Sequence, residues 1–488
     1  MSDISKEKIV SNVGWSYAER ISSQLVSIVV GIVLARILQV NDYGTIAIIT
    51  VFINLMDIIV IGGFGNALVQ KKNAKNIDFN TICWFSILFA VFLYVMLYIF
   101  APTIADFYQS QELVAMLRVM GIKTIFASFN SIQHAYVQKK MQFRKFFVST
   151  LGGTVFSGLV GIVLAYLGFG AWALVAQQLT NSILNTILLF FIVKWKPKLE
   201  FSFESFKSMF GFGFKQTCAS LINTLKDDIR SLVIGKVFSK SDLGFYDQGK
   251  KYPALLMNSV IGTIQKVSLP VFSEQQDQTK SLKITMRKVI RISSLLLLPL
   301  MMGFIGVAEN FVIVFLTEKW LLCVPFLQIL SIVYLTRPMN TIFQSSLLAV
   351  NKSGVVLAHE TIGTIATLAF IAISTFVFES VLLIAWSSVL VMIIGTVFYI
   401  VFISKYFKYT ILEILADFMP SMLVASAMAL LVWLIGKINI TPIIVLALQI
   451  VLGMIFYVLI CKLFRIKEFD YCFNLVKETI GKFKSKRK

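Results

Sequence analysis

Charge is scarce in this chain. Of its 488 residues, 14% are Asp, Glu, Lys or Arg and 57% are hydrophobic, whereas a water-soluble domain carries about 25% charged residues. A surface with so little charge must face lipid, which excludes a string of soluble domains. Cysteine is also sparse: Cys83, Cys218, Cys323, Cys461 and Cys472 are scattered, with no C-x-x-C and no His close by in sequence. Neither a disulfide framework nor a metal site is indicated. No G-x-x-x-x-G-K-[ST] string occurs, and HETIG at 359–363 is not H-E-x-x-H. Intervals between apolar segments stay below about 25 residues, shorter than the roughly 50 residues of the smallest domains. That leaves no room for an ATP-hydrolysing or catalytic domain, so the expectation is a transporter and not an enzyme. The N-terminal stretch MSDISKEKIVSNVGW lacks the short apolar core and small-residue cleavage site of a removable signal, so the first membrane helix is expected to act as its own insertion signal.

What is present is a series of long apolar segments. About 20 apolar residues cross the hydrocarbon core, and spans are predicted near 13–39, 44–66, 81–103, 114–136, 146–167, 171–193, 208–235, 243–268, 289–308, 322–349, 354–378, 381–404, 414–436 and 441–463. The fold class is therefore all-α integral membrane, with about fourteen transmembrane helices. The formal net charge of +20 resides mostly in short loops and in the tail KFKSKRK. Topology rules place basic residues there, and nucleic-acid binding is not indicated. Alternate intervals are basic: Lys71, Lys72 and Lys75, then Lys139, Lys140, Arg144 and Lys145, then Lys194, Lys196, Lys198 and Lys207, then Lys280, Lys283, Arg287, Lys288 and Arg291. The intervening ones, such as APTIADFYQSQEL, are nearly bare of Lys and Arg. This alternation predicts that both termini are cytoplasmic.

An internal repeat accompanies the spans. Leu34-Ala35-Arg36-Ile37-Leu38 followed by Asn41-Asp42-Tyr43-Gly44 recurs as Ile234-Gly235-Lys236-Val237-Phe238 followed by Ser241-Asp242-Leu243-Gly244. Upstream, Ser16, Arg20, Ser23 and Ser27 fall opposite Gln216, Ser220, Asn223 and Asp227, and Gln133 and Gln344 occupy similar places late in the fourth and tenth spans. Six spans separate the copies, so both have the same orientation and form two pseudo-symmetric six-helix lobes. The predicted organisation is a lobe over 1–200, a second over 201–404, and two further helices with a basic tail over 405–488. Asp42-Tyr43-Gly44 alone also fits a tight turn between helices.

Nine basic residues fall inside spans: Arg20, Arg118, Lys123, Lys215, Lys226, Arg230, Lys250, Lys251 and Arg337. Facing lipid, they would cost on the order of 20–30 kcal/mol together, less for those near helix ends that can snorkel. Much of this group is therefore expected to face a wet interior or a partner. Asn12, Ser16, Glu19/Arg20, Ser23 and Ser27 recur every three or four residues, as do Gln216, Ser220, Asn223 and Asp227. These polar stripes are expected to face each other across a shared cavity. Local pairing is the competing account: Asp227 and Asp228 with Lys226 and Arg230, or Arg118 and Lys123 with Asp57 or Glu19. Acids within the spans are fewer than bases, so pairing leaves a positive excess suited to an anionic substrate. His134 and His359 are expected to pack and not to relay protons.

The stretch WSYAERISSQ through LARILQVNDYG resembles the Wzx-type polysaccharide flippases of the multidrug/oligosaccharidyl-lipid/polysaccharide (MOP) exporter superfamily, in the branch associated with colanic and teichuronic acid-like polymers. GFGNALVQKK at 63–72, QKKMQFRK at 138–145, DLGFYDQGKK at 242–251 and SLPVFS at 268–273 extend the likeness over nearly the whole chain. The resemblance implies fourteen helices in a V of two lobes, a bacterial cell (inner) membrane location, and a substrate of undecaprenyl pyrophosphate bearing a short oligosaccharide. It further implies alternating access, delivery to the outer leaflet for surface polysaccharide or lipopolysaccharide synthesis, and a separate polymerase as partner. A cationic site is implied for Arg20, Lys215, Lys226, Arg230, Lys250 and Lys251, to which Arg118 and Lys123 are added as in-span cations. Glu19, Asp57, Asp227 and Asp228 are the candidate coupling residues. No cofactor is expected; the driving force is left open between proton, sodium ion and membrane potential. A cation-coupled multidrug exporter of the same superfamily is the alternative, and the basic excess argues against it.

Overall fold

The computed structural model describes residues 6–140, 142, 144–464, 466 and 468–470, with side chains from Glu19 onward except Arg20 and Ser259. Cys472, the 482–488 tail and the side chains of Asn12, Ser16 and Arg20 lie outside the described residues. In chain order the helices are α1 (Lys6–Ile37), α2 (Val40–Ile61), α3 (Phe64–Gln70), α4 (Asn76–Phe107), α5 (Glu112–Lys139), α6 (Arg144–Tyr166), α7 (Ala171–Ile192) and α8 (Phe203–Val237). They continue as α9 (Lys240–Glu274), α10 (Thr279–Phe311), α11 (Val324–Val333), α12 (Arg337–Ala349), α13 (Ser353–Phe376), α14 (Val381–Phe407), α15 (Ile411–Ile435) and α16 (Pro442–Leu463). Among the described residues there is no strand, and the longest connection without helical turns is 193–202.

Every predicted span meets a helix. The second is broken at Gly62–Gly63 into α2 and α3, and the tenth is divided between a 3-10 turn at Glu318–Cys323, α11 and α12. By length and apolar character alone, 11 helical segments among the described residues can cross a membrane, so composition does not establish the expected fourteen. α5 and α8, which carry Arg118 and Lys123 and Lys215 through Arg230, are not among them, and α1 enters only as the shorter apolar stretch Ile21–Ile37.

The surface is inverted relative to a soluble protein. Leu88, Phe92 and Ile99 on α4, Phe156, Leu159 and Val163 on α6, and Ile455 and Leu459 on α16 are exposed. Asn80, Thr81, Thr124, Ser128 and Gln133 are buried. Outward apolar faces of this extent are those of a multi-pass membrane protein.

The chain divides into two compact units, Met1–Gly244 and Phe245–Lys488. The sequence repeat has its own boundary near 200; the packing division lies later because α8 packs against α2, α3 and α4 within the first unit. The core of the first unit gathers Phe64, Leu68, Phe79, Ile82, Ile132, Leu189 and Trp195. At its edge Lys139 donates to the carbonyls of Leu68 (3.0 Å) and Lys71, closing the C-terminus of α3 with a cation. A basic residue placed by topology thus also caps a helix. Arg144, on the other side of that loop, opens α6.

The repeated Asp-x-Gly is not a turn. Asp42 lies in the first turn of α2, where its Oδ2 accepts from the backbone N–H of Gln39 at 2.9 Å. Asp242 does the same for Ser239, whose Oγ accepts in return from the N–H of Asp242 at 3.0 Å. These are helix-starting capping contacts. The glycines serve a different end. A Cβ on Gly44 would lie 1.9 Å from the carbonyl oxygen of Lys240, and one on Gly244 would lie 2.5 Å from that of Val40. The two copies of the motif therefore cross backbone to backbone, joined by a 2.6 Å hydrogen bond from Ser241 Oγ to Asn41 Oδ1. Lys240 Nζ adds a 2.5 Å ion pair with Glu112.

In the second unit α10 packs against α11, α12, α15 and α16. Its first turns carry Lys283, Arg287 and Arg291, expected from sequence in a solvated loop. Instead Arg287 spans Asp417 on α15 at 2.6 and 2.9 Å, Arg291 meets Asp417 at 2.6 Å, and Lys283 meets Glu413 at 2.8 Å. Tyr409 Oη donates to Asp417 at 2.6 Å, and the Asp417 side chain is 0% exposed. His359 stacks on Tyr399 with ring centroids 3.9 Å apart, and its Nδ1 lies 3.4 Å from Glu360 Oε1.

Candidate substrate-binding site

A cavity of about 430 Å³ opens within the first unit between α2–α3, α5 and α7. The break at Gly62–Gly63 shapes one wall. A Cβ on Gly63 would sit 1.8 Å from the carbonyl oxygen of Gly213, so the chain there presses against α8. On α5, Lys123, Ala127, Asn130, His134 and Gln138 line the cavity; on α7, Gln178, Asn181 and Asn185 do. Each set recurs at three or four residues, so each helix presents one polar face. Asn66 completes the amides.

Lys123 is the one cation of this wall, and it is paired. Its Nζ lies 3.4 Å from Asp57 Oδ2, with the two side chains 21% and 18% exposed. Of the partners weighed from sequence for Lys123, Asp57 and Glu19, it is Asp57 that it meets. It neutralises Lys123 but leaves Asp57 Oδ1 buried and without a hydrogen-bond partner. His134 stacks on Phe146 at 4.4 Å between centroids.

The other candidates occupy different surroundings. Arg118 lies over the ring of Tyr98 at 4.1 Å, its Nε donating to the Tyr98 carbonyl at 3.3 Å, an anchored position on α4 and not on the cavity. On α8, Lys215 is exposed and Arg230 is buried. Lys226, Asp227, Asp228 and Arg230 are each engaged by neighbouring groups. Lys215, Lys226 and Arg230 are spaced by eleven and four residues, which places them on one side of α8. Glu19 and Lys250 are likewise engaged. Lys250 and Lys251 lie on α9 in the second unit, where Lys251 Nζ is 5.8 Å from the Tyr252 ring centroid. The side chain of Arg20 is outside the described residues.

Sequence reasoning directed at charge missed the amides. Asn130, His134 and Gln138 follow one another at four-residue spacing, as do Asn181 and Asn185. That recurrence inside otherwise apolar helices was the available signal.

Residues 33–325 match the sequence profile of the polysaccharide biosynthesis protein family. The chain is similar to the teichuronic acid biosynthesis protein TuaB of Bacillus subtilis, 26% identical over 360 residues, covering 72% of this chain and 73% of that one. It is similar to the lipopolysaccharide biosynthesis protein WzxC of Escherichia coli, 24% identical and covering 70% of each chain. In fold it resembles the lipid II flippase MurJ in an inward closed conformation, with TM-score 0.72 and 14% identity over 93% of this chain and 98% of that one. It also resembles an inward-facing multidrug resistance MATE family transporter of the MOP superfamily, with TM-score 0.61 and 14% identity over 80% and 96% of the two chains. The helical fold is thus like that of these two transporters, and the protein belongs to the polysaccharide biosynthesis protein family.

Proposed function

We propose that this protein is a flippase that moves undecaprenyl-pyrophosphate-linked oligosaccharide from the cytoplasmic to the outer leaflet of a bacterial cell membrane, with both termini in the cytoplasm. One observation supports this most: α5 and α8, long helices that do not count as spans by composition, hold five of the nine in-span cations, Arg118, Lys123, Lys215, Lys226 and Arg230. Family membership supplies the glycan-assembly setting. A membrane protein retains intramembrane charge where it handles polar cargo. Arg20, Lys215 and Lys226 in the first unit, and Lys250 and Lys251 in the second, are the residues proposed to contact pyrophosphate, with arginine suited to bidentate contact and lysine to point-charge attraction. Arg118, held on Tyr98, and Arg230, buried on α8, act on this reading as positioning residues.

The head group enters from the inner leaflet while the polyprenyl chain stays in lipid. Access then changes to the outer side, where a polymerase takes the product. A pyrophosphate diester carries about two negative charges, and an inside-negative potential of about 100 mV favours their outward passage by about 4–5 kcal/mol across the full field. Export can therefore run on membrane potential; proton or sodium coupling would use Glu19, Asp57, Asp227 or Asp228. The test is transport of a fluorescent lipid-linked oligosaccharide in proteoliposomes. Arg20→Gln and the double change Lys250→Gln/Lys251→Gln should each abolish transport while leaving the protein inserted. Unchanged transport in both variants would overturn the assignment.

A further inference from the structure

We infer that the cavity between α2–α3, α5 and α7 is a glycan subsite that takes an uncharged sugar ring, separate in chemistry from the cations that hold the pyrophosphate. This inference rests on the flippase reading and deepens it. The cavity measures about 430 Å³, within the range of roughly 300–1,000 Å³ found for small-ligand sites. Its wall is amide-rich, and two amides carry unspent acceptors. Asn130 is 8% exposed, its Nδ2 donates to the Ser182 carbonyl at 3.5 Å, and its Oδ1 is buried without a partner. Asn185 Oδ1, one helix away on α7, is also buried without a partner. A buried acceptor left unmade costs about 1–3 kcal/mol, so its presence at a cavity wall calls for a donor.

The kind of atom left open selects the ligand. Carbonyl oxygens repel phosphate oxygens and accept from hydroxyl or amide N–H groups. The one cation on the wall, Lys123, is 3.4 Å from Asp57 and is thereby neutralised toward an anion. The neutral pair likewise offers no net charge to a metal cation. A pyranose ring fits the pattern: hydroxyl donors for Asn130 and Asn185, and hydroxyl acceptors for the amide N–H groups of Gln178 and Asn66. The stacked His134 ring closes the polar wall against Phe146.

The full-length protein in lipid nanodiscs tests this with two probes, undecaprenyl pyrophosphate and undecaprenyl pyrophosphate bearing one hexose. The parent should bind the glycosylated probe at least ten-fold more tightly than the bare one. Asn185→Leu removes an acceptor, and Ala127→Phe fills the space while sparing every polar group. Each should bring that ratio close to one with affinity for the bare lipid unchanged. Asn130→Leu should do the same, and the other two variants carry the test if it fails to fold. A ratio near one in the parent, or a ratio unaltered in the folded variants, would overturn the subsite while the flippase reading stands. Binding of the glycosylated probe with no measurable binding of the bare lipid would support the subsite and overturn the pyrophosphate assignment.

Discussion

Replacing Gly44 by alanine should destabilise the protein even though it places a better helix former inside a helix. The added Cβ would stand 1.9 Å from the Lys240 carbonyl oxygen, where 3.0 Å is the practical floor. The ends of α2 and α9 must then part by about 1 Å, a shift that packed backbones resist. Such a movement stretches the 2.6 Å bond between Ser241 Oγ and Asn41 Oδ1 beyond hydrogen-bonding range. Overpacking costs about 1–3 kcal/mol, and the lost hydrogen bond about 0.5–1.5 kcal/mol. Alanine returns up to about 1 kcal/mol of helix propensity. The net expectation is a loss of about 1–3 kcal/mol, with Gly244→Ala milder because its Cβ would meet the Val40 oxygen at 2.5 Å. Gly211→Ala is the matched control: nothing lies within 4 Å of its Cβ, and it should be neutral or slightly stabilising. Thermal unfolding of the purified protein in detergent, followed by tryptophan fluorescence, ranks the three. If Gly44→Ala unfolds at or above the temperature of Gly211→Ala, the close crossing of the repeated motifs is refuted.

Two charge networks give further predictions. Asp417→Asn should cost about 3 kcal/mol, the lower end for breaking a buried pair, because Arg287 and Arg291 retain 28% and 37% exposure; loss of α15 docking would appear as protease cleavage at the α14–α15 connection, and wild-type resistance there would count against it. Lys123→Met should destabilise by about 2–3 kcal/mol by stranding Asp57, and adding Asp57→Asn should recover most of that loss. Simple additivity of the two changes in a thermal double-mutant cycle would show that the pair is not coupled.

Much of the architecture was legible in the sequence because lipid imposes one rule throughout: apolar stretches must be long, and backbone groups must be satisfied by helix. The predicted spans meet helices on that ground alone. The repeat was visible at Asn41-Asp42-Tyr43-Gly44, but its meaning was not. Asp-x-Gly reads equally as a turn or as the start of a helix, and the capping contacts of Asp42 and Asp242 distinguish them, while the proximity of Lys240 to Gly44 explains the glycine. Lys283, Arg287 and Arg291 looked like ordinary loop charges, since their acids, Glu413 and Asp417, lie more than a hundred residues away. Asp57 could be named from sequence as one of two possible partners of Lys123, beside Glu19, because each is stranded in apolar surroundings and needs an opposite charge. Asn130 and Asn185 escaped because an amide in an apolar helix is common and carries no charge to account for.

The division between charged and neutral recognition bears on how such a protein turns over. A transporter must lose its cargo at the end of each cycle, so contacts that are strong in one state and kept in the other would trap it. Cations that bind a pyrophosphate can be offset by the membrane potential acting on the cargo's own charge. A sugar has no such handle. Its contacts must be individually weak, and amide–hydroxyl bonds meet that need, since water competes for the same atoms and each is worth only about 0.5–1.5 kcal/mol net. Asn130 and Asn185 have acceptors free for a hydroxyl, while Asn181 Nδ2 is committed to Ser157 at 3.1 Å and Asn130 Nδ2 to Ser182. The wall is thus held rigid by some amide groups and left receptive by others. In the proposed subsite, that arrangement would discriminate a hydroxylated ring from an apolar drug by the cost of burying the open acceptors dry, without binding the glycan too tightly to release it.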